Sequence, residues 1–148
     1  MDLKLLNPDI QQFINANIDQ NISKLALQKN PFPDVEWIAI LNQIEAKTKA
    51  KDKLPTWFAA KNSLFPSKIS VEQTSSEKTA LYKSTLVSGA SLIDLTGGFG
   101  VDDYYFSKKV KAVAHCEINP ELSQLVQHNF EQLEATNISC YPGDSTQT

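Results

Sequence analysis

The 148-residue chain has no arginine: all 14 basic residues are lysines, set against 17 acidic residues for a net charge of −3. A chain that grips phosphates unaided usually shows a basic face and bidentate arginines. Free-standing nucleic-acid binding is therefore disfavoured. The only cationic run, "KTKAKDK" at 47–53, reads as a solvated helix end. Cysteine is scarce too, and Cys116 and Cys140 lie at no metal spacing and form no disulfide framework. Reduced thiols and a cytoplasmic location follow as expectations. No apolar run approaches the ~20 residues that a membrane span needs, and "MDLKLLNPDI" lacks the layout of a secretory signal. Glycine is also rare, yet three of the five stand within four positions, in "SLIDLTGGFGVD" at 91–102.

What is present divides into two parts, a helical module over 1–68 and an alternating strand–helix region over 69–148. "NPDIQQFINANI" starts a helix with Asn7 as cap and Pro8 at the first helical position. "PDVEWIAILNQIEAKTKA" puts Trp37, Leu41, Ile44 and Thr48 on one helical stripe with Ile38 beside it, and the prolines of "KNPFP" and "KLPTW" punctuate the helices. Trp37 and Trp57 read as packing residues. "KISVEQ" reads as a short extended segment. "TSSE" at 74–77 fits a capping box in which Thr74 caps and Glu77 reaches back. The helix it opens should run to about Val87 and stop at Gly89.

Beyond that the pattern is β-α-β-α-β. "SLIDL" (91–95) suits a strand buried on both faces, "VDDYYFSKK" a short helix, and "KAVAHCE" (111–117) a second strand. "NPELSQLVQHNFEQLEA" is a helix capped by Asn119, with Leu122, Leu125, Val126, Phe130 and Leu133 on one stripe. "NISCYPGD" (137–144) supplies a third strand and its turn. Short connections of this kind imply parallel strands with right-handed crossovers. His115 and His128 read as packing or surface residues, and the two cysteines as inert thiols.

Ligands of such folds bind at the carboxyl ends of the strands, where "TGGFG" lies. A single glycine would serve a tight turn, whereas three suggest the close approach of a bound molecule. The spacing is not the G-x-G-x-x-G of dinucleotide sites, whose third glycine would fall on Asp103, an acid poorly placed beside a pyrophosphate. A cofactor without phosphates fits better. Glu117, ending the second strand, can accept from the vicinal hydroxyls of a ribose, and Asp144, ending the third, from the amine of an adenine.

"DLTGGFGVD", "CEINPEL", "HNFEQL" and "NISCYPGDS" in this order resemble motifs I, II and III of class I S-adenosylmethionine (SAM)-dependent methyltransferases. "EQTSSEKTALYK" and the helical front resemble more narrowly the bacterial RNA-methyltransferase-like group with a THUMP-like domain. The resemblance implies a Rossmann-like α/β fold with SAM as cofactor and no metal. It places Asp94, Thr96, Gly97, Gly98 and Gly100 around the methionine part of SAM, Glu117 on the ribose, Ile118 against the adenine and Asp144 on its amine. Asp102 is a further candidate for the methionine amine.

Class I sheets have seven strands, and this chain ends after the third. The expectation is an N-terminal fragment carrying the SAM motifs but not the acceptor site, with any RNA contact in regions outside it. Two other readings stay open: a nicotinamide-dependent oxidoreductase, and a non-catalytic interaction protein built from a helical module and a decayed half-fold.

Overall fold

The computed structural model describes residues 2–143. The first part is helical: α1 (Pro8–Ala16), α2 (Ile22–Ala26), α3 (Trp37–Lys53), α4 (Pro55–Ala59), α5 (Lys68–Gln73) and α6 (Glu77–Ser84). Then come β1 (Gly89–Asp94), α7 (Val101–Phe106), β2 (Val110–Glu117), α8 (Pro120–Gln132) and β3 (Ile138–Pro142). The strands form one parallel sheet in the order β1-β2-β3. No helix among the described residues is long and apolar enough to cross a membrane.

Local chemistry sets most helix starts. The Asn7 side chain accepts from Asp9 N and Pro8 follows, while Asn119 accepts from Glu121 N and Leu122 N ahead of Pro120. Both caps satisfy amides that a first helical turn leaves without partners. On α3, Leu41 and Ile44 are buried as the stripe predicts, but Ile38 points outward at 61% exposure and Ile40 takes the inner place. Ile40, Leu41 and Ile44 pack with Ile10, Ile14 and Leu64 in one cluster. Ala46 and Ala50, farther along α3, join Trp57, Phe99, Val126 and Phe130 in another. The second cluster therefore binds α3 and α4 to the sheet's own helices.

Two buried amides complete that junction. Residues 64–65 are buried outside any helix or strand, and their backbone groups need partners inside the protein. Asn129 of α8 accepts from Leu64 N at 2.8 Å and donates to Leu64 O at 2.7 Å. Gln43 of α3 does the same for Phe65, at 3.1 and 2.6 Å.

Four local expectations fail, each for a physical reason. "KISVEQ" is helix α5, because Ser67 caps it through Ser70 N and Val71 turns into the core. The cap of α6 is Ser76, accepting from Thr79 N, not Thr74. Glu77 does not reach back: its carboxylate is buried and accepts from Thr56 N (2.6 Å), Thr56 Oγ1 (2.8 Å) and Tyr105 Oη (2.7 Å). The tertiary partners outcompete the local box. Helix α6 ends at Ser84, and Gly89 (φ +123°) starts β1 instead of stopping a helix. Burial, reinforced by the bond to Glu77, pushes the Tyr105 hydroxyl up to about 12. Glu77→Ala should thus cost about 2 kcal/mol, read as a lower urea midpoint, whereas a surface control such as Lys78→Ala should leave the midpoint unchanged.

The fourth concerns β1, which is not buried on both faces. Leu92 and Asp94 share a face with Val113, His115 and Cys140, and α7 and α8 cover it. The opposite face carries Ile93 (65% exposed), Ala112, Ser139 and Tyr141, and is largely open among the described residues. Right-handed crossovers between strands laid down in one direction put every connecting helix on the same side. Only a reversal of strand order would bring helices to the other.

Candidate functional site

A cleft of about 330 Å³ opens at the carboxyl end of β1. Asp94, Thr96, Gly97, Gly98, Phe99 and Asp102 form one wall. The opposite wall is Ser70 and Gln73 of α5 with Thr74 and Ser75 of the following link. No sequence motif marks that second wall: Ser70 and Gln73 fall in "KISVEQ", and Thr74 and Ser75 in the "TSSE" that fits a capping box.

The glycines divide by role. Gly97 has an ordinary φ, but a Cβ there would stand 2.3 Å from the His115 ring. Gly100 has φ +87° as the N-cap of α7, and a Cβ there would meet Phe130 at 2.6 Å. At Gly98 (φ +55°) a Cβ would meet only Thr96 O, at 3.9 Å. Gly97 and Gly100 leave room for the protein's own side chains, whereas at Gly98 the Cβ direction is open; Gly97 and Gly98 both line the cleft. Packing against the protein's own side chains thus accounts for two of these glycines in addition to any ligand.

His115 is fully buried and its Nε2 stands 2.9 Å from Gly98 O, so the ring carries its proton on Nε2 and donates it there. It is a strut beneath the loop. Glu117 holds the loop from the side, Oε1 accepting from Gly98 N at 3.2 Å and Oε2 from Asn119 N at 2.7 Å. A carboxylate offers about four lone-pair positions, so one on each oxygen is left for a ligand. Glu117 and Ile118 do not line the cleft itself; Ile118 stands beyond it, 68% exposed. Asp144 lies outside the described residues.

Three acids converge at the start of α7. Asp94 Oδ1 accepts from Thr96 N at 3.0 Å. Asp102 Oδ2 pairs with Lys83 at 3.1 Å and stands 3.5 Å from Ser75 Oγ, while its Oδ1 is buried without a partner. Asp103 is fully buried and, as a carboxylate, finds no donor at either oxygen. Burial above all, then a hydrogen bond to Asp94 and the charges of Asp94 and Asp102, pushes Asp103 up to about 9. Burial thus favours the protonated acid at neutral pH, with Asp94 as the acceptor beside it. Its inward position on α7 would have been legible only once that helix was known to lie on the sheet.

Cys116 and Cys140 sit on opposite faces of the sheet, since Cys140 is level with His115 and Cys116 with Tyr141. Burial, then the charges of Asp103 and Glu131, pushes the Cys140 thiol up to about 11, so it stays protonated. His128 meets Asn62 O at 2.8 Å. Among the described residues no group of three or more His, Cys, Asp or Glu side chains is arranged to hold a metal ion.

The chain matches no protein-family model and no curated protein. Among solved structures it resembles one described as a "putative methyltransferase" from Porphyromonas gingivalis W83, at 29% identity and TM-score 0.82. That likeness covers 99% of this chain and 37% of the other, so the chain spans little more than a third of that neighbour's length. Trm5b from Pyrococcus abyssi overlaps more loosely, at 20% identity and TM-score 0.47 over 51% of this chain and 24% of its own, and carries no weight here. What the chain shares with the first neighbour is an α/β architecture of helices against a three-stranded parallel sheet.

Proposed function

We propose that the cleft binds SAM and that the chain is the cofactor-holding part of a methyltransferase. The supporting observation is a cleft at the strand ends with Gly98 as bare backbone and carboxylates that keep unused acceptor positions around it. The methyltransferase neighbour adds support, matching over nearly the whole chain. Bound SAM would supply an activated methyl on a sulfonium sulfur, and a cation of that kind suits a site lined by Asp94 and Asp102. Asp102, on the cleft wall, would attract the ligand's amine by its charge, and Glu117, at the next strand end beside the cleft, has two acceptor positions for its ribose hydroxyls. Residues 1–68 would back this site as a helical module and 69–148 would carry it. Following the sequence resemblance, we take RNA as the methyl acceptor, held by regions outside this chain. The protein's part in such a transfer is alignment of nucleophile, methyl and sulfur.

Calorimetric titration of the 148-residue chain with SAM and with NADH separates the readings. Saturable SAM binding with no NADH heat is expected. NADH binding would favour the oxidoreductase reading, and silence for both the interaction protein. Glu117→Ala should weaken SAM binding about 10- to 100-fold, the loss of charge-assisted hydrogen bonds worth about 1.5–3 kcal/mol. Unchanged affinity would remove the ribose contact from the scheme.

A further inference from the structure

The run "KTKAKDK" is solvated at Lys49, Lys51 and Asp52, as a helix end should be, but not at Lys47. It splits between two faces of α3. Lys49 pairs with Glu72 at 3.7 Å, and Lys53 donates to Val71 O and Glu72 O at the end of α5. Lys47 and Lys51, one turn apart, face the other way. They line a groove of about 880 Å³ between α1, α3 and the end of α4, which shares no lining residue with the cleft at the glycine loop.

Lys47 is the unusual member. Its residue is only 6% exposed, and its Nζ donates to a neutral partner, Asn15 Oδ1, at 2.5 Å. The ammonium also sits 5.4 Å from the centre of the Phe58 ring. Among the described residues none of the ion pairs includes it. A buried cation without a counter-charge costs several kcal/mol, and an apolar side chain of equal length would fill the place at less expense. Burial accordingly holds the Lys47 ammonium below the usual lysine range. Lys51 and Lys61 stand exposed on the same groove. Among the described residues the sole carboxylate lining it, Asp19, is taken up by Lys51 at 2.8 Å. Gln12 and Asn62 add neutral donors, while Gln11 Nε2 donates to Leu5 O at 2.6 Å.

We propose that this groove binds a phosphate-bearing small molecule, with Lys47 as its buried charge and Lys51 and Lys61 at its rim. Three lysines against one carboxylate leave an excess of two positive charges, which a dianion neutralises. The amide side chains suit the remaining phosphate oxygens. The groove's volume falls within the roughly 300–1,000 Å³ of small-molecule sites, leaving room for more than a free ion. This site is independent of the cleft proposed for SAM.

The test is calorimetric titration of the 148-residue chain with inorganic phosphate, ribose 5-phosphate and ribose, compounds without the adenine that would engage the other cleft. Saturable binding of ribose 5-phosphate but not of ribose is expected. Equal affinity for inorganic phosphate would identify the free ion as the ligand, and tighter binding of the sugar phosphate an ester. Lys47→Met, which keeps the length and removes the charge, should weaken binding at least tenfold, and Lys51→Ala with Lys61→Ala should weaken it without touching a buried residue. Lys49→Ala, on the far face, should not change it. Absence of saturable heat with both phosphates, equal binding of ribose, or full affinity in both the Lys47 and the rim variants would overturn the proposal.

Discussion

Asp103→Asn should make the protein more stable at pH 8, by about 3–5 kcal/mol, and nearly neutral in effect at pH 4. Burial pushes the native carboxyl up to about 9, whereas an unfolded aspartate titrates near 4. Between those values the unfolded chain has released a proton that the folded chain keeps, so stability falls as pH rises, by up to about 1.4 kcal/mol per pH unit. Below about pH 4 both states are protonated and the penalty vanishes. Above about 9 both are ionised and it stops growing. Asparagine has the same shape, carries no proton to lose, and its amide can donate to Asp94 as the protonated acid does. The measurement is the difference in urea-unfolding free energy between variant and parent at pH 4, 6 and 8, in which the other titrating groups largely cancel. A difference that stays flat would mean that Asp103 is ionised in the folded protein and finds a donor there. Asp103→Ala, by contrast, leaves a hole beside Asp94 and should not gain the same stability.

Much of this architecture was legible in the chain because its signals are local. Asn7–Pro8 and Asn119–Pro120 announce helix starts through caps that depend on three or four neighbouring residues, and the alternation after residue 90 fixes a parallel sheet through its connections. Failures cluster where a distant residue decides. "KISVEQ" has the β-branched residues of a strand but is drawn into a helix by Ser67 and the docking of Val71. Glu77 has the right spacing for a capping box, yet Thr56 and Tyr105 claim its carboxylate from 21 and 28 residues away. Lysines at 47, 49, 51 and 53 look alike in sequence, and only the packing of α1 and α5 against opposite sides of α3 tells them apart. The cleft was half readable. Its glycine wall follows from motif spacing, while the wall of Ser70, Gln73, Thr74 and Ser75 depends on where packing against α3 seats α5.

The three glycines allow a sharper separation of packing from binding than any other part of the chain. Gly97→Ala should cost more than about 3 kcal/mol. Its Cβ would stand 2.3 Å from two atoms of an imidazole that is itself fully buried and pinned to Gly98 O, so neither side can yield cheaply. Pairing it with His115→Ala should restore a substantial part of that loss, since the second change removes the obstructing ring. The size of the recovery is the coupling energy of the cycle, and coupling near zero would show that the loop yields without the ring. Gly98→Ala should behave differently. Its backbone is left-handed, which costs about 1–2 kcal/mol for a residue with a side chain, but the new methyl enters open space. The protein should fold with a modest loss of stability and bind SAM at least tenfold more weakly, because the methyl occupies the surface on which the ligand would lie. If Gly98→Ala folds and keeps full SAM affinity, the bare backbone is there for the turn alone, and the cofactor must be sought elsewhere.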